Sequence, residues 1–257
     1  MNTLRASILQ STIQWEDKKA NLDNFAQKMD SLVGKTELII LPEMFSTGFS
    51  MAAERLAEDM DGPTMQWLSQ QAVRSNAVIT GSFIAREEDR FYNRLVWMQP
   101  DGSYQVYDKR HLFTLAGEEK TYTAGQKKQM IKYQGWKICP QICYDLRFPV
   151  WSRNVEDYDL LFYVANFPAR RSEAWKALLR ARAIENQAYT IGVNMVGSDG
   201  NEIYYSGDSS VIDYDGTILY QIAHLEDTFT FTLDRQKLMD FRSKLQFLPD
   251  RDQFEIK

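Results

Sequence analysis

Leu38-Ile39-Ile40-Leu41-Pro42-Glu43-Met44-Phe45 is a short, unbroken apolar run that stops at a proline and a glutamate. Four consecutive aliphatic residues with no polar alternation mark a strand covered on both faces. Leu160-Leu161-Phe162-Tyr163-Val164 is a second such run, and it leads into Asn166-Phe167-Pro168. Each run is followed by the same sequence of signals. A helical pattern comes first, with Pro63 opening one helix and Met65, Leu68 and Ala72 on its inner face; its counterpart spans 172–187, with Trp175, Leu178, Leu179, Ala183 and Ile184. A strand follows at 77–85 and at 188–196. A hairpin then turns at Asp101-Gly102 and at Asp215-Gly216. The order helix, strand, hairpin thus occurs at 63–108 and again at 172–223, without identity between the copies.

Buried strands need cover on both faces. Two mixed sheets packed face to face with helices outside supply it. The expected fold is therefore α/β, a four-layer α-β-β-α sandwich of two pseudo-symmetric halves. No G-x-G-x-x-G follows the first alternating segment at 3–11, which weighs against a dinucleotide-binding sheet. An amphipathic helix is expected from Asp17 to Val33, ending at Gly34, and a last one over 236–244 capped by Asp234. Strands are also expected at 90–99, 104–108, 127–133, 136–143, 204–213, 217–223 and 228–233, and a short helix at 150–155. The loop 109–123 carries charges and few periodic features.

The 257 residues are 44% apolar, enough for one large core, so one domain over 1–257 is expected. The formal net charge of -5 comes with mixed signs and no dense basic run, which argues against nucleic-acid binding and membrane-surface attraction. No apolar run approaches about 20 residues, so no membrane helix is expected. The N-terminal residues enter an alternating pattern without a basic and then apolar leader, which gives a cytoplasmic expectation. The two cysteines, Cys139 and Cys143, share one short strand and cannot easily bridge each other; their spacing is not a zinc pattern. Cys139 reads as core.

Cys143 is different. It ends the strand Lys137-Ile138-Cys139-Pro140-Gln141-Ile142-Cys143, and Tyr144-Asp145-Leu146-Arg147-Phe148-Pro149 follows as an abrupt turn. A nucleophile on such an elbow is how several hydrolases expose a reactive atom. Two more strand ends carry apt residues: Glu43 after 38–41 and Lys109 after 104–108. A thiol with a reference pKa of about 8.5 needs a base or a cation near it at neutral pH. Glu43 could accept its proton. Lys109 and the Tyr144 backbone N–H could stabilise a tetrahedral oxyanion, and attack on an amide or nitrile would give a covalent acyl-enzyme. A histidine base is a weaker alternative, since only His111 and His224 exist and the local signature of papain-like enzymes is absent. His111, two residues after Lys109, could line the same pocket.

Leu41-Pro42-Glu43-Met44-Phe45, Tyr107-Asp108-Lys109-Arg110-His111-Leu112-Phe113 and Cys143-Tyr144-Asp145-Leu146-Arg147-Phe148-Pro149 strongly resemble the carbon–nitrogen hydrolase (nitrilase) superfamily in order and spacing. The likeness continues through Arg182-Ala183-Ile184-Glu185-Asn186-Gln187, Asn194 and Gly207-Asp208-Ser209-Ser210. The resemblance implies the same four-layer fold, a Glu-Lys-Cys triad of Glu43, Lys109 and Cys143, and a second glutamate that positions substrate or water. Glu118 matches that position, with Glu119 adjacent. It implies a homodimer or larger assembly through the outer helices, and no metal or organic cofactor. Within the superfamily the motifs look most like the omega-amidases, which hydrolyse the terminal amide of 2-oxoglutaramate and 2-oxosuccinamate to a 2-oxo dicarboxylic acid and ammonia. Cys-Tyr-Asp, where nitrilases tend to carry Cys-Trp-Glu, favours an amide over a nitrile. An aliphatic amidase, an N-carbamoyl amino acid hydrolase or a nitrilase on the same fold, and a non-catalytic binding member, are the other readings.

A small anionic substrate needs a cation besides Lys109. Arg147, Arg110, Arg170 and Arg171 are the candidates, because guanidinium pairs carboxylate in a bidentate fork. The more ordinary role of Arg147 is to pair with a scaffold carboxylate, and that of Arg170-Arg171 is to form a solvated helix start. Phe45, Phe113, Tyr144, Phe167 and Trp175 are the candidate apolar walls.

Overall fold

The computed structural model describes residues 2–256. In chain order the strands and helices are β1 (Thr3–Gln10), α1 (Lys18–Asp30), β2 (Leu38–Ile40), α2 (Ala53–Leu56), α3 (Pro63–Ser75), β3 (Val78–Glu87), β4 (Arg90–Met98) and β5 (Tyr104–Asp108). There follow β6 (Ile131–Tyr133), β7 (Trp136–Ile142), α4 (Pro149–Ser152), β8 (Leu160–Ala165), α5 (Ser172–Asn186), β9 (Tyr189–Asn194), β10 (Val196–Ser198), β11 (Tyr204–Ile212), β12 (Ile218–Ala223), β13 (Asp227–Asp234) and α6 (Arg235–Lys244).

The strands form two sheets. One runs β13-β1-β2-β3-β4-β5; the other runs β6-β7-β8-β9-β11, with β10 and β12 both on β11. In each sheet three consecutive strands are parallel, β1-β2-β3 and β7-β8-β9, and an antiparallel strand flanks them on both sides. This is the two-half architecture expected from the sequence.

The pleat decides which side chains meet. Leu38 and Ile40 of β2, Leu95 and Trp97 of β4, and Leu4, Ala6 and Ile8 of β1 point into a core shared with Ile138, Leu160 and Ile191 of the second sheet. Their strand neighbours Ile39, Val96, Met98 and Leu9 point outward and pack under Phe25 and Met29 of α1 and Met65, Leu68 and Ala72 of α3. Both faces of β2 are therefore dry, as its unbroken apolar run requires. Trp175, Leu179 and Ala183 of α5 cover the second sheet in the same way.

The helix ends explain the likeness of the halves. α3 stops at Asn76 and α5 at Gln187, both left-handed caps with φ of 48° and 42°. In each case an alanine follows, Ala77 or Ala188, and a strand whose fourth residue is glycine, Gly81 or Gly192. A Cβ on Gly81 would lie 2.9 Å from Leu41 and Phe45; on Gly192 it would lie 2.4 Å from Leu179 and 2.6 Å from Trp175. Small residues at these two points let the structure pack tightly above the central strands.

Several boundaries differ from the sequence expectation. α1 ends at Asp30, capped at Ser31, before Gly34. Asp17 caps its start, accepting from the Ala20 N–H at 3.0 Å, and Asp234 caps α6. The strand expected over 127–133 pairs only from Ile131, and the one expected over 188–196 divides at Met195 into β9 and β10. The loop after β5 is not featureless. It makes two 3-10 turns, Thr114–Ala116 and Glu118–Lys120, on either side of Gly117, which takes φ of 72°. Among the described residues no helix is long and apolar enough to cross a membrane.

Gly192→Ala should destabilise the fold by about 1–3 kcal/mol, since the added methyl drives into Leu179 and Trp175. Urea unfolding followed by tryptophan fluorescence measures this; an unchanged midpoint would show that α5 can lift without penalty.

Candidate active site

Glu43, Lys109 and Cys143 come from three different strand ends and meet. Glu43 lies in the turn after β2, Lys109 follows β5, and Cys143 follows β7. The Glu43 and Lys109 side chains have no exposed surface, and Cys143 is 9% exposed. Lys109 Nζ donates to Glu43 Oε1 at 3.0 Å and to Glu118 at 3.0 and 2.9 Å. It also lies 5.1 Å from the centre of the Phe49 ring. Burial acts to strip its proton, but the Glu118 and Glu43 carboxylates outweigh burial and hold its pKa above the ordinary lysine value.

Glu43 is fixed by further donors. Asn93 Nδ2 donates to Oε1 at 2.8 Å, and the Asn166 backbone N–H donates to Oε2 at 2.7 Å. Asn166 Nδ2 in turn donates to the Glu43 carbonyl at 2.7 Å. Asn166 ends β8 as Glu43 ends β2, so the ends of the two central strands clasp one another across the sandwich. Burial pushes the Cys143 thiol well above its usual pKa, and the neighbouring Glu43 carboxylate pushes it further, with Lys109 opposing. The thiol therefore rests protonated against the Glu43 carboxylate.

Glu118 and Glu119 have separate fates. Glu118 is fully buried, while Glu119 is exposed. Besides Lys109, Glu118 accepts from the Phe113 N–H. Burial raises its pKa; Lys109 pulls it down and Glu43 adds to the rise. Gly117 gives the tight reversal that turns Glu118 inward.

The elbow has its own brace. Cys143 takes φ of 43°, a left-handed conformation that costs a non-glycine residue about 1–3 kcal/mol. The buried Asp145 carboxylate holds it there. It accepts from the Ile142 N–H at 3.1 Å, Tyr107 Oη at 2.7 Å and the His111 N–H at 2.9 Å, and His111 Nδ1 lies 2.8 Å away. Trp151 Nε1 donates to Tyr107 Oη at 2.9 Å, and Arg182 donates to the Leu146 carbonyl at 2.7 Å. Arg182 also pairs with Glu185, three residues further along α5.

A cavity of about 690 Å³ opens above the thiol. Lys109, Phe113, Cys143, Tyr144, Arg147 and Phe167 line it, as the sequence suggests. Phe45 does not. It is fully buried on the outer face of the first sheet, with its ring 5.8 Å from Phe25 and 5.7 Å from Trp67, because the chain turns at Pro42 and Met44 and carries the ring to that side. Trp175 is likewise behind the wall, its ring centre 5.3 Å from that of Phe167 and tilted 36° to it, and it donates to the Asp208 carbonyl. His111 is drawn away by Asp145 and stacks 3.7 Å from Phe148. Arg110 turns outward to Gly125 and Gln126. Of the other candidate arginines, Arg170 and Arg171 also line the cavity, while Trp15, Phe49, Asn166 and Tyr205 belong to the site and were not singled out for it by their spacing. Only Asn166 carries a usable signal, its place at the end of a fully apolar run. Among the described residues no group of three or more His, Cys, Asp or Glu side chains is arranged to hold a metal ion.

The carbon–nitrogen hydrolase family model matches residues 5–243. The chain belongs to the carbon–nitrogen hydrolase family. It is 44% identical to the omega-amidase YafV of Escherichia coli K12 over the whole of both chains. It is 30% identical to the 2-oxoglutaramate amidase of Bacillus subtilis over 95% of this chain and 96% of that one. A crystal structure of a superfamily member from Xanthomonas campestris, XC1258, with an arsenic adduct in its active site, superposes with a TM-score of 0.98 at 45% identity over both full chains. Saccharomyces cerevisiae Nit3, of the nitrilase superfamily, superposes with a TM-score of 0.83 at 25% identity over 95% of this chain and 94% of that one.

The charges around the thiol give a signed expectation. Glu43→Gln removes the carboxylate that raises the Cys143 pKa, so the pH profile of iodoacetamide alkylation should move to lower pH. A profile that stays in place or moves up would contradict the proximity of the two groups.

Proposed function

We propose that this chain is an omega-amidase, releasing ammonia from the terminal amide of 2-oxoglutaramate and 2-oxosuccinamate through a thioester on Cys143. The observation that carries the chemistry is the buried Glu43–Lys109–Glu118 array set against the Cys143 thiol on the wall of the cavity. The substrate class rests on full-length similarity to an omega-amidase and a 2-oxoglutaramate amidase.

The steps follow from the geometry. The thiol is neutral at rest, so its proton passes to Glu43 as sulfur bonds to the amide carbon. The carbonyl oxygen becomes an oxyanion stabilised by Lys109, whose charge the two glutamates secure, and by the Tyr144 backbone N–H. Glu43 then returns the proton to the leaving nitrogen, and ammonia departs as the C–N bond breaks. Water enters, Glu43 takes a proton from it as its oxygen bonds to the acyl carbon, and the C–S bond breaks as Glu43 returns that proton to the Cys143 sulfur, releasing the carboxylic acid. Glu118 lies behind Lys109 rather than on the cavity wall, so it acts through the ammonium and the Phe113 amide. Phe113, Tyr144 and Phe167 form the apolar sides.

Three further readings belong to this proposal. Residues 1–257 form one domain, supported by the core shared between both sheets. The enzyme is a homodimer, supported by exposed apolar side chains on and beside its outer helices, Val150, Ile184 and Leu245. It works in the cytoplasm, where a free catalytic thiol stays reduced; both cysteines are unbridged.

Ammonia release from a panel of 2-oxoglutaramate, 2-oxosuccinamate, a neutral aliphatic amide, an N-carbamoyl amino acid and a nitrile tests the assignment. The 2-oxo amides should give the highest kcat/KM, and a better rate on any other member would reassign the substrate. Cys143→Ala should abolish turnover, and Glu43→Gln should lower kcat on the order of 10²–10⁴-fold. Full activity in Glu43→Gln would remove it as the base.

A further inference from the structure

Trp15 stands in the turn between β1 and α1 and lines the same cavity as Cys143, far in the chain from the groups that act on the amide. Its backbone is tied on both sides. The Gln14 N–H donates to Asn21 Oδ1 at 2.7 Å. Asn21 Nδ2 donates back to the Gln14 carbonyl at 2.7 Å and to the Ser46 carbonyl at 2.9 Å. The Glu16 N–H donates to the Thr47 carbonyl at 2.8 Å. Asn21 has no exposed surface, so its bonds face little competition from water.

The indole is held as firmly as the backbone. A Cβ on Gly200 would lie 2.3, 2.4 and 2.6 Å from atoms of its five-membered ring, and one on Gly48 would lie 3.1 and 3.4 Å from its six-membered ring. Two loops thus lay bare backbone against one side chain. Gly200 belongs to the turn between β10 and β11, and that turn is itself locked. Asp199 Oδ1 accepts from the Asn201 and Ile203 N–H groups at 2.8 and 3.0 Å, and Asp199 Oδ2 accepts from Tyr205 Oη at 2.9 Å. The Val196 N–H fastens the hairpin to the Ser11 carbonyl at 3.1 Å. The ring cannot swing aside without displacing this hairpin or the turn after β2. The rim of the cavity is different. Leu115 also lines it but is 84% exposed on a three-residue turn, so it yields to a bulky ligand where Trp15 does not.

We propose that Trp15 is a specificity-determining residue, a fixed wall between Gly48 and Gly200 that sets the longest acyl chain the cavity accepts. The proposal rests on the amidase reading for the identity of the reaction, though the limit on chain length applies to anything that grows from the sulfur. A primary amide has one direction in which to lengthen. Sulfur takes its carbon, Lys109 and the Tyr144 N–H take its oxygen and Glu43 faces its nitrogen, so added length falls on the acyl chain alone. Once that chain reaches a wall packed as tightly as a protein interior, a further methylene must displace groups that are held in place.

The test has two arms. In the first, kcat/KM is measured along the series succinamate, glutaramate, adipamate, pimelamate and suberamate, in the wild type, Trp15→Leu and Trp15→Ala. The wild-type value should fall by about 10-fold or more at the first member too long for the cavity, the scale of one misfitting methylene. Trp15→Ala should restore that member by about the same factor and move the fall to a longer one. Trp15→Leu, which keeps apolar packing under Gly200, should move it less. In the second arm, mass spectrometry follows modification of Cys143 by methyl and by octyl methanethiosulfonate, whose chains extend from the sulfur as an acyl chain does. The octyl-to-methyl rate ratio should rise about 10-fold in Trp15→Ala. Should no member of the amide series be turned over while this ratio still rises, the amidase reading fails and the wall stands. The wall is overturned if both Trp15 variants keep the wild-type chain-length profile, or lose all members in proportion, with the modification ratio unchanged.

Discussion

The Lys109 ammonium sits without solvent between two carboxylates, and the rest of the site is built around the demands of that charge. A buried cation is tolerated only if it is paired and hydrogen-bonded, and here Glu43 and Glu118 satisfy it together. Burial keeps the Cys143 thiol protonated until a substrate carbon accepts its electrons, and the surplus negative charge that two carboxylates on one cation leave beside it acts in the same direction. Asn93 and Asn166 then fix the one carboxylate that faces the sulfur. Removing the lysine would strand both glutamates, so the array stands or falls as a unit.

Much of this was legible in the chain because the informative residues sit where local pattern changes. Apolar runs that stop at Glu43 and Cys143 announced two strand ends, and the repeated order of helix, strand and hairpin announced two halves. The loop that carries Glu118 gave no period to read. Its inward turn rests on the buried Lys109 at its own start, itself paired with Glu43 from another segment, so only the tertiary structure separates Glu118 from Glu119. Phe45 shows the opposite limit. Its place two residues after Glu43 suggested a cavity wall, yet the chain here is a turn with Met44 at φ of 43°, so strand alternation does not hold and the Phe45 ring packs against Phe25 and Trp67 instead.

The arginines were ambiguous for a similar reason. Sequence supplies their charge but not their company. Arg182 finds Glu185 three residues along its own helix, which a pattern can reveal. Arg147 and Arg171 find an aromatic ring contributed by a third segment, and the absence of any acidic neighbour is a property of the assembled cavity.

Asp145 gives the architecture a further meaning. Its carboxylate joins the turn after β7, in one sheet, to Tyr107 on β5 and His111 just beyond it, in the other. The position of the sulfur is therefore referenced to the opposite layer of the sandwich. A small slip of one sheet over the other, too slight to unpair a strand, would move the nucleophile away from its base. On warming, turnover becomes a gauge of how well the two layers stay in register, and it fades while each sheet is still intact.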